Sequence, residues 1–389
     1  MKAVVRPSAA RTLIGLCILE FLSWGILFYT LPISATRLAT ANGWSPLVVP
    51  VVYTLSLLSA AAAGPHVGKL IDTCGPRRVM AVGAFLGTCG ILASAGTDSP
   101  LVFAPAWMLV GVAQACTLYP PAFAAAAQWL GTASPWPLTV ITFAGGLSSA
   151  AFAPLTAYLI DSHGWRGSFG LLAGLYGLVS VLSATLLLRQ TWNKPSRNGA
   201  THTEYLRAII RSPRFLYTQA ALTIAAAGLY AATLNMIPLL EELGFGYQAA
   251  AAVFGAVGAG QLLGRLAFIP FGGLGTPRQR ITVQIVLTGG ALFALALMSG
   301  STLLIVTCAV FAGAVRGAHT LAVATAVSDR WGRDSYATVY GRFNLPIALA
   351  MALSPAAGQL AASALGSYQA ATLLFAFATL VAVVLALRS

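Results

Sequence analysis

Five short segments of the first half of the chain recur in the second half at a nearly fixed offset of about half its length. Gly111-Val-Ala-Gln114 returns as Gly313-Ala-Val-Arg316, and Trp129 followed by Gly131 returns as Trp331-Gly332. Pro154-x-x-Ala-x-Leu159 returns as Pro355-x-x-Gly-x-Leu360, Pro76-Arg-Arg-Val79 as Pro277-Arg-Gln-Arg280, and Gly43-Trp-Ser45 as Gly244-Phe-Gly246. An offset this constant implies two halves of one design meeting at a pseudo-symmetric interface. In a membrane chain, that interface is where a transported solute is expected.

Composition decides that the chain lives in lipid. It has 389 residues, 58% hydrophobic and only 8% charged, whereas a soluble domain carries roughly 25% charged residues. Apolar stretches of about 20 residues, long enough to cross a bilayer as helix, recur throughout. They fall at 12–35, 46–67, 79–97, 101–127, 137–160, 166–188, 214–240, 248–270, 281–299, 302–327, 336–362 and 368–387. The expected fold is therefore an all-α membrane protein of twelve transmembrane helices in two pseudo-symmetric six-helix bundles. The bundles span 1–188 and 214–389, and the polar, basic segment 189–213 joins them as a linker, with a surface helix expected within Thr203–Arg211.

The net charge of +13 does not point to nucleic acid. With the N-terminus inside, Lys2, Arg6, Arg11, Lys69, Arg77, Arg78, Arg189, Lys194, Arg197, Arg207, Arg211, Arg214, Arg278, Arg280, Arg330, Arg333 and Arg388 all fall inside, and only Arg37 and Arg166 outside. This positive-inside bias places both termini in the cytoplasm. The first apolar segment is longer than a signal peptide's core and has a counterpart in the second half, so we read it as a helix. The cysteines form no CxxC pair, so neither a disulfide framework nor a metal site is expected. No N-x-S/T acceptor occurs, in keeping with a bacterial cytoplasmic (inner) membrane.

Small residues punctuate the helices. Gly83-x-x-x-Gly87, Gly146-x-x-x-Ala150 and Gly260-x-x-x-Gly264 allow close helix approach, a generic feature of membrane packing.

Between the second and third spans stands Gly68-Lys-Leu-Ile-Asp72-Thr-Cys-Gly75-Pro-Arg77-Arg78-Val79. This resembles the cytoplasmic signature of the major facilitator superfamily, with Pro76 where an Arg is common. A degenerate counterpart starts at Gly264-Arg265-Leu266 and ends at Arg278-x-Arg280 without the Asp, and Asp161-Ser-His-Gly-Trp165-Arg166 also looks like that superfamily. The resemblance implies a twelve-helix secondary transporter, with a central cavity lined by helices 1, 4, 7 and 10. It also implies a cytoplasmic gate of Gly68, Asp72, Gly75, Arg77 and Arg78, in which Asp72 helps latch the outward-open state. From chemistry alone, Asp72 can pair with Arg77 or Arg78, and the two glycines permit tight turns.

Ionisable groups inside the bilayer cost roughly 2.5–3.5 kcal/mol each and call for a reason. Glu20 lies about 14 Å along the axis from Arg11, and Arg316 stands deep in the tenth span with His319 one turn later on the same face. The resemblance brings Glu20 and Arg316 to the shared cavity. We read Glu20 and His319 as proton-coupling groups, and Arg316 as a planar fork suited to a carboxylate. A static ion pair or packing role is the alternative for each. His66 and Arg265, near cytoplasmic helix ends, are read as interfacial. Trp24, Gln114, Tyr119, Tyr230 and Asn235 complete the candidate solute-binding set, with Gln219, Thr223 and Asn344 as further polar neighbours.

The expected function is secondary active transport of a small polar or anionic organic solute, such as a carboxylate, by alternating access, with protons or exchange as the coupling. The alternative is a proton-driven efflux pump for toxic compounds. Helix 4 carries Gln114 rather than Arg, and the helix 5 stretch Gly145–Pro154 has Ala in place of glycines typical of drug antiporters. Both departures favour the first reading. No catalytic motif is present, so no enzyme activity and no cofactor are expected. The partners are the solute, protons and the lipid bilayer, with no nucleic acid, and the chain is expected to act as a monomer.

Overall fold

In lipid, backbone polar groups must be satisfied within each crossing segment, which leaves helices or closed barrels. The computed structural model describes residues 7–130, 136–192, 208–271, 274–331 and 336–389, and among these there are helices and no strand. Helix α1 runs through three continuous pieces, Pro7–Leu22, a π-helical stretch Ser23–Tyr29, and Thr30–Asn42. Helices α2 and α3 are Val48–Cys74 and Pro76–Ala95. Helix α4 is Pro100–Thr117 followed by Tyr119–Trp129, broken at Leu118, whose backbone is extended, with Pro120-Pro121 in the first turn of the second piece. Residues 136–187 are helical throughout except at Gly164, whose φ of 67° and ψ of 167° divide α5 (136–163) from α6 (165–187).

Helix α7 is Pro213–Leu234 and continues as Met236–Glu242 beyond Asn235. Then follow α8 (Tyr247–Phe271), α9 (Pro277–Leu297), α10 (Thr302–Trp331), α11 (Tyr336–Leu365) and α12 (Tyr368–Leu387). Eleven runs among the described residues are long and apolar enough to cross a membrane, and the run containing Gly164 is two helices in one. The twelve expected helices are present, but several are longer than their apolar cores. Helix α1 continues to Asn42, where Gly43 at φ 62° ends it, and α2 continues through the signature as far as Cys74.

The chain divides into two compact units, Met1–Ser196 and Arg197–Ser389. Most of the expected linker, residues 193–207, lies outside the described residues, as do Lys2, Arg6, Lys194, Arg197, Arg207, Gly131, Gly332 and Arg333. Residues 208–211 are helical. Within the first unit, α2 packs on α4, α3 on α4 and α6, and α1 on both α5 and α6. Within the second, α8 packs on α10, α9 on α10 and α12, and α7 on both α11 and α12. Each pairing in one unit has its counterpart six helices later, so the sequence repeat is a repeat of packing.

The tightest seams are built on glycine. A Cβ on Gly264 would run into the Ala314 carbonyl, and one on Gly313 or Gly317 would meet the backbone of Val257 or Gln261. Helices α8 and α10 therefore lie backbone to backbone, and the Gly260-x-x-x-Gly264 spacing serves this seam. Since Val257 faces Gly313 and Gln261 faces Gly317, the two helices run parallel.

At the end of the first unit opposite the signature, Arg37 pairs with Asp161 at 3.2 Å and Arg166 pairs with Asp98. Trp165, buried, packs edge-on against Phe103 and Phe169. The second unit ties the corresponding positions with backbone contacts: the Tyr368 amide donates to Glu242 at 2.7 Å, and Gln369 donates to the Met298 carbonyl at 2.9 Å.

Candidate functional site

In the first unit, Glu20 is fully buried on α1. The Trp24 indole, one turn later, donates to its Oε2 at 2.8 Å, while Oε1 has no hydrogen-bond partner among the described residues. Trp24 in turn packs against Tyr119 with ring centroids 4.9 Å apart, and Tyr119 stacks on Phe123. The structure thus joins Glu20, Trp24 and Tyr119 in one aromatic-walled carboxylate site. The π-helical stretch begins at Ser23, so Trp24 lies within it. Such stretches are frequent at functional sites, and here Gln114 of α4 donates to the Leu27 carbonyl at 2.8 Å. Gln114 is buried, and one of its two amide N–H donors holds α1, so it positions the site.

In the second unit, Arg316 is buried at the middle of α10. Its guanidinium donates to Thr233 Oγ1 at 3.2 Å and lies 4.4 Å over the Tyr230 ring. These are a charge-assisted hydrogen bond and a cation–π contact, the two interactions that make a desolvated arginine tolerable. His319 is equally buried, and neither ring nitrogen has a hydrogen-bond partner among the described residues. Asn235 sits at the break in α7. Its amide donates to the Ala231 and Pro355 carbonyls at 2.9 and 3.3 Å, so it stitches α7 to α11. Gln219 likewise donates to the Arg342 and Phe343 carbonyls.

Arg265, read as interfacial from its place near a helix end, is buried within the protein at 5% exposed. The parallel glycine seam sets it one turn beyond Gln261, which faces Gly317, and so at the depth of the turns that carry Arg316 and His319. Gln261 is buried, and its amide nitrogen has no hydrogen-bond partner among the described residues. Arg265 and Gln261 are therefore site candidates that the sequence reading missed. Their shared spacing of one helical turn was the available signal.

The signature loop is also organised differently from expectation. Asp72 is exposed and makes no ion pair with Arg77 or Arg78 among the described residues. Arg77 instead donates to the Thr185 carbonyl at the end of α6 at 2.8 Å. Gly75 adopts φ 79° and lies under Trp192, whose indole donates to the Asp72 carbonyl. Gly68 is exposed with open space around it. In the second unit, Arg280 of the degenerate counterpart pairs with Asp329 of α10 at 3.0 Å.

Family comparison agrees with this arrangement. The family model described as Major Facilitator Superfamily matches residues 13–345. The chain belongs to that superfamily. It is therefore an integral membrane protein of that superfamily. Monocarboxylate transporter 13 of Rattus norvegicus is 27% identical over 261 residues, 66% of this chain and 60% of the rat protein. The Bos taurus protein of the same name is 27% identical over 206 residues, 52% of this chain and 48% of the relative. The matches thus span about half to three fifths of these relatives. Among solved structures, the nucleoside transporter NupG aligns with a TM-score of 0.76 at 16% identity, covering 97% of this chain and 99% of that one. A POT family transporter in complex with 5-aminolevulinic acid aligns with a TM-score of 0.76 at 12% identity, over 97% and 95% of the two chains. At these identities the structural matches establish the superfamily fold alone.

Proposed function

We propose that this superfamily member is a secondary active transporter for a small organic anion, a carboxylate above all, coupled to protons or to exchange. The observation that carries the reading is a pair of buried guanidiniums in the second unit. Among the described residues of that unit, the buried basic side chains are Arg265, Arg316 and His319. The planar fork of an arginine matches a carboxylate, so this set favours an anionic guest. Arg316 and Arg265 take the solute's charged end in this reading. Glu20, with one oxygen held by Trp24 and one open, carries the proton. His319 is the second proton group. The name of the mammalian relatives, monocarboxylate transporter, points the same way.

The test is uptake of radiolabelled short carboxylates into proteoliposomes under an imposed pH gradient. Accumulation that vanishes in Arg316→Ala and Arg265→Ala, with both variants still inserted, supports the reading. Carboxylate flux unaffected by either change refutes it. Lowered cellular accumulation of toxic compounds, with no carboxylate flux, supports efflux instead.

A further inference from the structure

We propose that a groove between α8, α9 and α10, on the second unit alone, is a binding site for an anionic phospholipid of the surrounding bilayer. The groove has a volume of about 380 Å³, within the usual range for a ligand site. Its walls are apolar, chiefly Ala267, Phe268, Val283, Leu287 and Phe311, and its closed side runs along the glycine seam at Gly264 and Ala314. The seam explains the groove. Where α8 and α10 touch backbone to backbone, the small residues on their outer face leave space that no side chain fills. Val283 and Leu287 are 57% and 41% exposed, so the groove opens at the surface.

One end is charged. Arg280 lines it, and exposed Arg278 lies on the same first turns of α9. Arg330 reaches the same place, donating to the Pro277 carbonyl at 3.0 Å. Asp329 pairs with Arg280, and Arg330 also donates to the Ser389 hydroxyl at 3.4 Å. Among the described side chains, three guanidiniums stand with one carboxylate at this mouth, and from Arg280 to Leu287 the apolar floor continues for about 10 Å of helix. A basic mouth on an apolar slot at a helix end fits a phosphate headgroup with its acyl chain laid along α9. This inference is independent of the solute that the protein carries.

The experiment is native mass spectrometry of the full chain, purified, delipidated and titrated with phosphatidylglycerol or with phosphatidylcholine of the same acyl chains. One phosphatidylglycerol should be retained in preference to phosphatidylcholine. Ala267→Phe, which fills the slot from an exposed position, should weaken retention at least tenfold. Leu287→Trp reads the same slot should Ala267→Phe fold poorly. Arg278→Gln should weaken phosphatidylglycerol about fivefold while leaving phosphatidylcholine unchanged. Equal affinity for the two lipids, wild-type retention by both slot variants, or preference for a free fatty acid would each overturn the assignment.

Discussion

Arg316 shows how a costly residue is kept in the membrane. Its insertion cost of roughly 2.5–3.5 kcal/mol is offset by Thr233 and by the Tyr230 ring, and its planar fork is the shape that matches a carboxylate. Lysine keeps the charge but not the planar fork. Arg316→Lys should therefore lose a charge-assisted hydrogen bond of about 1.5–3 kcal/mol, or roughly 10- to 150-fold in solute affinity. The check is the concentration dependence of proteoliposome uptake, and an unchanged KM would remove Arg316 from the solute. Glu20→Gln separates binding from coupling. The amide still accepts from Trp24 but cannot carry a proton, so solute exchange should continue while accumulation driven by a pH gradient is lost. Persisting accumulation would exclude Glu20 as the carrier. Glu20, Arg316 and His319 were legible in the sequence because each interrupts a long apolar run. Arg265 was not, because Gly264-Arg265-Leu266 looks like the start of a loop motif, and its burial arises only when Gly264 lets α10 close over it.

At the scale of elements, the glycine seam of α8 and α10 holds the turns that carry Gln261, Arg265, Arg316 and His319. Gly313→Val should force these helices apart and cost about 1–3 kcal/mol as overpacking. Gly170→Ala, where nothing lies within 4 Å of an added Cβ, should change stability by no more than about 0.5 kcal/mol. Thermal unfolding of the purified variants, followed by size exclusion, distinguishes them, and equal midpoints would deny the seam its role. Helix existence was legible from apolar length, and the break in α4 from Pro120-Pro121. The π-helical stretch of α1 was not legible. Nothing in Ser23–Tyr29 marks it, and its hydrogen bond from Gln114 to the Leu27 carbonyl comes from another helix. The ends of α1 and α2 were also misjudged, since helix continues there past the apolar core on local capping rather than on hydropathy.

At the scale of the molecule, the same pairing of helices in both units makes the two signature ends equivalent. Lys69, Arg77 and Arg78 mark that end in the first unit, and Arg278, Arg280 and Arg330 mark it in the second. Six basic residues at matching ends of a repeated fold are an orientation signal, because short basic loops stay on the cytoplasmic side. The chain carries a natural reporter at this end. Of its five cysteines, Cys74 is exposed, Cys17 and Cys89 are half-buried, and Cys116 and Cys308 are buried. A membrane-impermeant maleimide should therefore label inside-out vesicles and not right-side-out ones, and Cys74→Ser should remove that labelling. The same assay isolates the gate. Asp72→Asn should leave Cys74 labelling, and so insertion, as in wild type, because Asp72 is exposed and makes no ion pair with Arg77 or Arg78 among the described residues, and it should slow transport if the gate that the superfamily signature implies acts through Asp72. Labelling from the outer face of intact cells would invert the topology, and with it every assignment of a cytoplasmic gate to the signature loop.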